Sequence, residues 1–254
     1  MSDHSETSGL QPPLEHVALR DMAIASLMFD SLTSYNRSLA EFREKAKKYV
    51  DLVDDGYCRV LLKWLNDWGC RHLAKDQHEV ASDSILRWYK AEAEKLAVAD
   101  KPLWLLDDTK LKQAADAYGA LKDLPGANRT RNGEVHVATI GPTAASKILF
   151  ALRPHAFAPW DDGMRKHFGC DGGAESYRKF LGIVKALTIK IATQCERNDF
   201  FIEYLPHELR RDGATVVSLL NEYLWVTIPP SASYPQGRPS HSGRVGDCRR
   251  PSTS

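Results

Sequence analysis

The residues best placed to do chemistry in this chain lie within 140–168. The turn Gly141-Pro142-Thr143 predicts the start of a helix, because glycine permits unusual backbone angles and proline fits the first helical turn. Unpaired N–H groups at a helix start bind anions such as phosphate. Asp161 follows Gly141 by 20 positions (161 − 141), and an ionised carboxylate can stabilise a positive charge or orient water. The segment therefore combines an anion site with a candidate catalytic carboxylate.

A buried helix is predicted between these two features. Its apolar residues recur at helical spacing and are Ala144, Ala145, Ile148, Leu149 and Leu152. The residues expected off this face are Ser146, Lys147 and Ala151. The helix is expected to end before Pro154, and the connector 155–160 then brings Asp161 beside the helix start. Its neighbour Asp162 is the alternative carboxylate.

This segment resembles the helix-hairpin-helix superfamily of DNA base-excision glycosylases. In that superfamily a glycine hairpin is followed by a helix, a loop of the form F-P-(apolar)-D and the catalytic aspartate. Here the sequence Phe-Ala-Pro-Trp-Asp at 157–161 falls on that loop, and the spacing from Gly141 is close to that of the adenine-mismatch members. The likeness covers roughly residues 138–168. Residues 146–161 also match a pattern "SK-(apolar)-L…L-x-P-x-x-F…WD" that is seen in bacterial proteins.

The resemblance implies a monofunctional DNA glycosylase, which flips a damaged or modified base and hydrolyses its N-glycosidic bond to leave an abasic site. Asp161 would be the catalytic aspartate, and Trp160 would line the base pocket. The residues expected to bind a DNA phosphate are Gly141, Thr143, Ala144 and Lys147. The role would be DNA repair or defence against phage DNA that carries modified bases.

The chain departs from the superfamily pattern at three points. The usual hairpin reads L-P-G-apolar-G, whereas only Gly141 is present here. Bifunctional members have a lysine where this chain has Thr143, which implies the monofunctional reaction. Members with an iron–sulfur cluster have four closely spaced cysteines, but only Cys170, Cys195 and Cys248 follow the motif. We therefore expect no cluster, no metal and no other cofactor.

Other interpretations of the same residues stay open. Asp161 or Asp162 can simply cap the short helix that follows, which would fit a non-catalytic helix-hairpin-helix module that binds DNA. Trp160 can belong to the core, and Lys147 can be a solvated surface residue. A third possibility is an interaction protein with no nucleic-acid role.

Composition sets wider limits. The chain has 254 residues, is 43% hydrophobic and has a net charge of +1, so it can bury a substantial core but gives no general nucleic-acid signal. Basic residues are instead local, at Arg129, Arg131, Lys147, Arg153, Arg165, Lys166 and, in the C-terminal tail, Arg238, Arg244, Arg249 and Arg250. Five cysteines without a CxxC pair indicate neither a zinc site nor a disulfide framework. With no signal region and no membrane span expected, the sequence predicts a cytoplasmic monomer that binds DNA and no membrane.

The elements that position the motif are predicted to be helical. Expected helices lie at 14–35, 39–73 with a break at 54–56, 78–97, 108–121, 174–196 and 214–226, and a loop is expected at 123–133. We expect an all-α, two-lobed helix-hairpin-helix glycosylase-like fold, with the aspartate at the mouth of a cleft between the two lobes. Its domain would span 14–228, with the hairpin and catalytic loop at 138–168. The tails at 1–13 and 229–254 are predicted to be disordered, the second of them basic.

Overall fold

The computed structural model describes residues 17–46, 52–53, 55–73, 78–97 and 101–228. The predicted tails at 1–13 and 229–254 lie outside these residues. Helices make up most of the described chain, which confirms the helical class that the sequence predicts. Within this part of the chain, no helix is both long and apolar enough to span a membrane.

Four helices form the first part of the fold. They are α1 (Leu19–Leu32), α2 (Tyr35–Ala46), α3 (Asp55–Asp67) and α4 (His78–Glu92). The turn after α3 is closed by Gly69, which has a φ of +86°. The Cys70 N–H donates to the Leu65 carbonyl at 2.8 Å across this turn, as in the usual glycine-terminated helix end. The chain therefore leaves α3 in a fixed direction.

A two-stranded ribbon follows α5 (Asp108–Lys122). Strands β1 (Pro125–Arg131) and β2 (Glu134–Thr139) pair antiparallel. Asn132 and Gly133 form the tight connection, with φ values of +54° and +83°. Positive φ at both central residues suits the right-handed twist of a hairpin, and Asn-Gly is the dipeptide that best adopts it.

The ribbon corrects two predictions. The segment 123–133, predicted as a loop, contains β1, and β2 follows it directly before Gly141. The Asn-Gly turn and the alternating β-branched residues Val135, Val137 and Thr139 explain the strands. The prediction of an all-α fold is therefore wrong in this one region, and the fold is mainly helical with a small sheet.

Five helices complete the fold. They are α6 (Gly141–Leu152), α7 (Asp162–His167), α8 (Ala174–Glu196), α9 (Leu205–Glu208) and α10 (Val216–Thr227). Helix α10 begins with a capping box, in which the Thr215 hydroxyl accepts the Ser218 N–H and the Ser218 hydroxyl accepts the Thr215 N–H. Such reciprocal bonds satisfy two N–H groups that a helix start leaves unpaired.

Helix α6 lies at the centre of the core. Its residues from Ala144 to Leu152, apart from Lys147, are buried, and it packs against both α3 and α5. Around it, α8 packs on α5 and α10 packs on α1. The buried apolar side chains form one continuous cluster from Val17 to Ile228. The start of α6 is consequently held by elements from both halves of the chain.

Candidate functional site

A cleft opens where the start of α6 meets two other segments. Its volume is about 360 Å³, within the range of about 300–1,000 Å³ that is usual for ligand pockets. The lining residues are Gly69, Cys70 and His72 from the turn after α3, 140–144 from the start of α6, and Asp161 with Asp162 from the start of α7. The cleft therefore brings together five residues that the sequence singled out: Gly141, Thr143, Ala144, Asp161 and Asp162.

The start of α6 supplies backbone N–H groups to the cleft. Gly141 has a φ of +78°, a value that glycine adopts without strain. Pro142 occupies the first turn, and no side chain of the preceding residue caps the helix. The unpaired N–H groups of a first helical turn attract negative charge. Gly141, Thr143 and Ala144 line the cleft, and their anion-binding role stays a prediction.

Asp161 both caps α7 and lines the cleft. Its Oδ1 accepts the Met164 N–H at 2.8 Å, which is the capping role that the sequence left open. Its charge also reaches Tyr35 at the start of α2, because burial, followed by the charge of Asp161, raises the pKa of the Tyr35 phenol. The cap fixes the position of Asp161, and the same position places it in the cleft.

Asp162 is engaged by its own helix. Its carboxylate pairs with Arg165 at 3.1 Å and with Lys166 at 2.6 Å. The hydrogen bond from Lys166 is the largest cause that lowers the pKa of Asp162. Two cations therefore already compensate the carboxylate of Asp162.

A buried hydroxyl holds the aspartate loop against α6. Ser146 Oγ accepts the Trp160 N–H at 3.1 Å and donates to the Thr143 carbonyl at 3.0 Å. Trp160 Nε1 donates to the Pro142 carbonyl at 3.2 Å. These bonds join the residue before Asp161 to the first turn of α6, so they set the distance between the carboxylate and the helix start. The predictions that Ser146 and Ala151 lie off the buried face are both wrong, since the two residues are buried.

Trp160 does not line the cleft, which contradicts its predicted place in a base pocket. The side chain is 1% exposed. Its ring meets Tyr118 and Tyr177 edge-on and lies 5.2 Å from the Phe180 ring. Burial against other aromatic rings stabilises a large apolar side chain. The structure therefore supports the alternative interpretation, in which Trp160 belongs to the core.

Lys147 is committed to a contact between helices. Its Nζ donates to the Trp68 carbonyl at the end of α3 and lies 5.5 Å from the centre of the Trp68 ring. A cation at the C-terminal end of a helix is stabilised by the carbonyls there. Lys147 is absent from the cleft lining, so its contacts support neither the predicted phosphate role nor a free surface position.

His72 is a cleft residue that the sequence did not reveal. Its Nε2 lies 2.8 Å from the Ile140 carbonyl oxygen. A carbonyl only accepts hydrogen bonds, so Nε2 carries the proton and the neutral ring leaves Nδ1 as an acceptor. Burial is the main cause that lowers the pKa of His72, and the charge of Arg129 acts in the same direction. The ring therefore stays neutral at pH 7.

Cys70 forms another part of the cleft wall. The thiol is 2% exposed, and burial raises its pKa even though Lys147 opposes the shift. A protonated thiol is a poor nucleophile, so Cys70 shapes the cleft without attacking a ligand. In the sequence, Gly69 indicates the turn that ends α3, but no sequence pattern indicates that this turn lies beside α6.

The cleft thus offers a carboxylate, helix-start N–H groups and a neutral imidazole acceptor. Among the described residues, no three histidine, cysteine, aspartate or glutamate side chains are grouped so that they could hold a metal ion. None of the four described cysteines is in a disulfide. Comparison of the chain with protein-family models, curated proteins and solved structures found no match.

Proposed function

We propose that this chain is a monofunctional DNA glycosylase with Asp161 as its catalytic carboxylate. The observation that carries the proposal is the meeting of Asp161 with the N–H groups of α6 in one cleft of about 360 Å³. The two-lobed helix-hairpin-helix arrangement and the DNA partner belong to the same proposal, since they come from the resemblance of residues 138–168. The ribbon before Gly141 would be this chain's own variation on that arrangement.

The proposed chemistry follows from the bond to be broken. As the bond between C1′ and the base nitrogen lengthens, positive charge develops on the sugar, and the Asp161 carboxylate stabilises that charge. The bonding electrons leave with the base. A water oxygen then forms the new bond to C1′, and one proton of that water is transferred to the departing base. The products are a free base and an abasic site.

The helix start would position the DNA backbone beside this carboxylate. A phosphate next to the flipped nucleotide would accept hydrogen bonds from the N–H groups of Gly141, Thr143 and Ala144. Arg165 stands behind them, because it donates to the Thr143 hydroxyl at 3.2 Å while it pairs with Asp162. Its positive charge would attract the phosphate and help to keep it at the helix start, away from Asp161.

The identity of residue 143 and the position of Lys147 favour the monofunctional reaction. Strand cleavage by this class needs a lysine that attacks C1′, and Thr143 stands where such a lysine would lie. Lys147 is one turn further along α6, and its ammonium donates to the Trp68 carbonyl. We therefore propose that the strand remains intact after the base is released.

The second candidate is a DNA-binding module without catalysis. The hydrogen bond from Met164 to Asp161 favours it, because this bond gives the aspartate a structural reason to be present. Both candidates need the same helix start for phosphate. They differ only in whether the negative charge of Asp161 is used.

The test compares wild type with Asp161→Asn on DNAs that contain damaged bases and on modified phage genomes, scoring abasic sites. Asparagine also caps helices, so this change removes the charge and keeps the fold. We expect base release to fall by at least about 10²-fold with DNA binding retained, and Asp162→Asn is the matched control. DNA binding without product from either protein would establish the binding module, and absence of both would overturn the two candidates together.

A further inference from the structure

The face of the β1–β2 ribbon that carries Val135 and Val137, called here the outer face, is uncharged and exposed. Val135 is 67% exposed and Val137 is 59% exposed. In the antiparallel register, Thr130 pairs with Val135 and Asn128 pairs with Val137, and directly paired residues share one face of a sheet. This face therefore carries two valines, a threonine and an asparagine, without a charge.

The base of the ribbon meets the protein body. Ala127, which points opposite to Asn128, is 1% exposed. At Gly126 an added Cβ would lie 2.9 Å from the Ile140 nitrogen, so the base of the ribbon is packed without space. Ile140 itself donates to the Leu124 carbonyl at 2.8 Å and lines the cleft. The ribbon is consequently fixed in direction relative to the cleft.

Positive charge lies on the opposite face of the ribbon, which Arg129 shares with Ala127. Arg129 is exposed and close enough to the cleft for its charge to act on His72. A surface of this kind complements a phosphate backbone, whereas its uncharged outer face is suited to base edges.

From this arrangement we propose that the ribbon lies in a groove of duplex DNA beside the cleft, with Val135 and Val137 against the base pairs and Arg129 near the backbone. The identity of the partner rests on the proposed function. A B-DNA major groove, about 12 Å wide, admits a two-stranded β-ribbon, and apolar side chains contact the thymine methyl group there. The fixed direction of the ribbon would align the duplex so that a flipped nucleotide reaches the cleft.

The experiment measures the affinity of the full chain for a labelled duplex and for one of its single strands by fluorescence anisotropy at several salt concentrations. The first variant, Val135→Thr/Val137→Thr, keeps side-chain shape and strand preference but removes apolar surface. We expect about tenfold weaker duplex binding with single-strand binding unchanged. The second variant, Arg129→Gln, should reduce the salt slope for the duplex by about 0.9.

The matched control is Ile24→Gln/Leu27→Gln on α1, where the side chains are also exposed. It should bind the duplex like wild type, and urea unfolding should show that all variants fold. Unchanged duplex affinity in both ribbon variants, an equal loss in the α1 control, or no duplex binding by wild type would overturn the proposal. Because the readout is binding, the ribbon proposal can hold when no base is released, and base release with fully retained binding by the ribbon variants would refute the ribbon alone.

Discussion

At the scale of the residue, the neutral imidazole of His72 adds a hydrogen-bond acceptor to the lining of the cleft. Nε2 donates to the Ile140 carbonyl, so the acceptor Nδ1 is complementary to an N–H donor such as an exocyclic amino group on a base. An imidazolium would instead offer two donors. The acceptor role of His72 Nδ1 therefore depends on burial, which keeps this nitrogen unprotonated.

We expect the His72 ring to titrate below its ordinary pKa of 6.5. The unfolded chain then takes up the proton first, so the stability contributed by the neutral ring is complete above pH 6.5 and is lost as pH falls towards the folded-state pKa. Two-dimensional NMR of the histidine rings should show the Nε2–H tautomer and the low pKa. His72→Gln should remove this part of the pH dependence. A ring that titrates at or above 6.5 would contradict the assignment.

The two roles of Asp161 can be separated by stability. Asp161→Ala removes the oxygen that accepts the Met164 N–H, and we expect a loss of about 1 kcal/mol in the free energy of unfolding. Asp161→Asn should cost only a small part of this amount, since asparagine accepts the same bond. Urea unfolding of both variants gives the comparison. If alanine and asparagine were equally stable, the cap would contribute nothing and the carboxylate would have no structural role.

At the scale of the element, α6 shows how far hydrophobic periodicity leads. Its start at Gly141 and its end before Pro154 follow from glycine, proline and apolar spacing, and the structure has them there. The burial of Ser146 could not be predicted in this way, because its partner is the backbone of Trp160. Periodicity assigns polar side chains to the surface, whereas a serine that satisfies a buried N–H group belongs inside.

We expect Ser146→Ala to loosen the aspartate loop. The change leaves the Trp160 N–H buried without its partner, at a cost of about 1–3 kcal/mol. If Asp161 is catalytic, base release should fall more than DNA binding does, since the position of the carboxylate changes while the helix start remains. Ser218→Ala in the capping box of α10 is the control that loses comparable stability far along the chain. Equal effects of the two variants on base release would argue against a positioning role for Ser146.

The ribbon escapes prediction from hydrophobic patterning because its strands are mostly exposed. Strand prediction depends on one buried face, and β2 has none over most of its length. The informative signal is the Asn132-Gly133 pair between β-branched residues, which local turn chemistry explains. A basic segment that contains glycine, such as 123–133, is typical of a connector. Here Gly133 instead permits the tight turn that joins the two strands.

At the scale of the whole molecule, the cleft is assembled from three separate segments of the chain. Gly141 and Asp161 are 20 positions apart, so a local sequence motif is enough to link them. The wall from Gly69 to His72 lies about 70 positions upstream of α6, and only the packing of α3 against α6 places it there. Tertiary contacts of this range have no local sequence signal.

A buried ionic cluster joins the two ends of the described chain. Glu222 on α10 is 2% exposed, accepts the Ser26 hydroxyl at 2.8 Å and pairs with Arg211 at 2.9 Å. Arg211 also pairs with Asp30 at 3.1 Å. Burial raises the pKa of Glu222, while the charge of Arg211 opposes the shift. The arginine is therefore what keeps a carboxylate tolerable between α1 and α10.

Removing that arginine should destabilise the whole fold. We expect Arg211→Met to cost about 3–5 kcal/mol in urea unfolding, because it leaves the Glu222 charge buried without its cationic partner, out of a total of about 5–15 kcal/mol for a typical protein. The pKa of Glu222 should rise further above 4.5, so the deficit should shrink as pH falls and the carboxyl becomes protonated. Adding Glu222→Gln should restore part of the loss at pH 7. A double variant no more stable than Arg211→Met alone would show that packing of the arginine stem, and not the buried charge, holds α1 against α10.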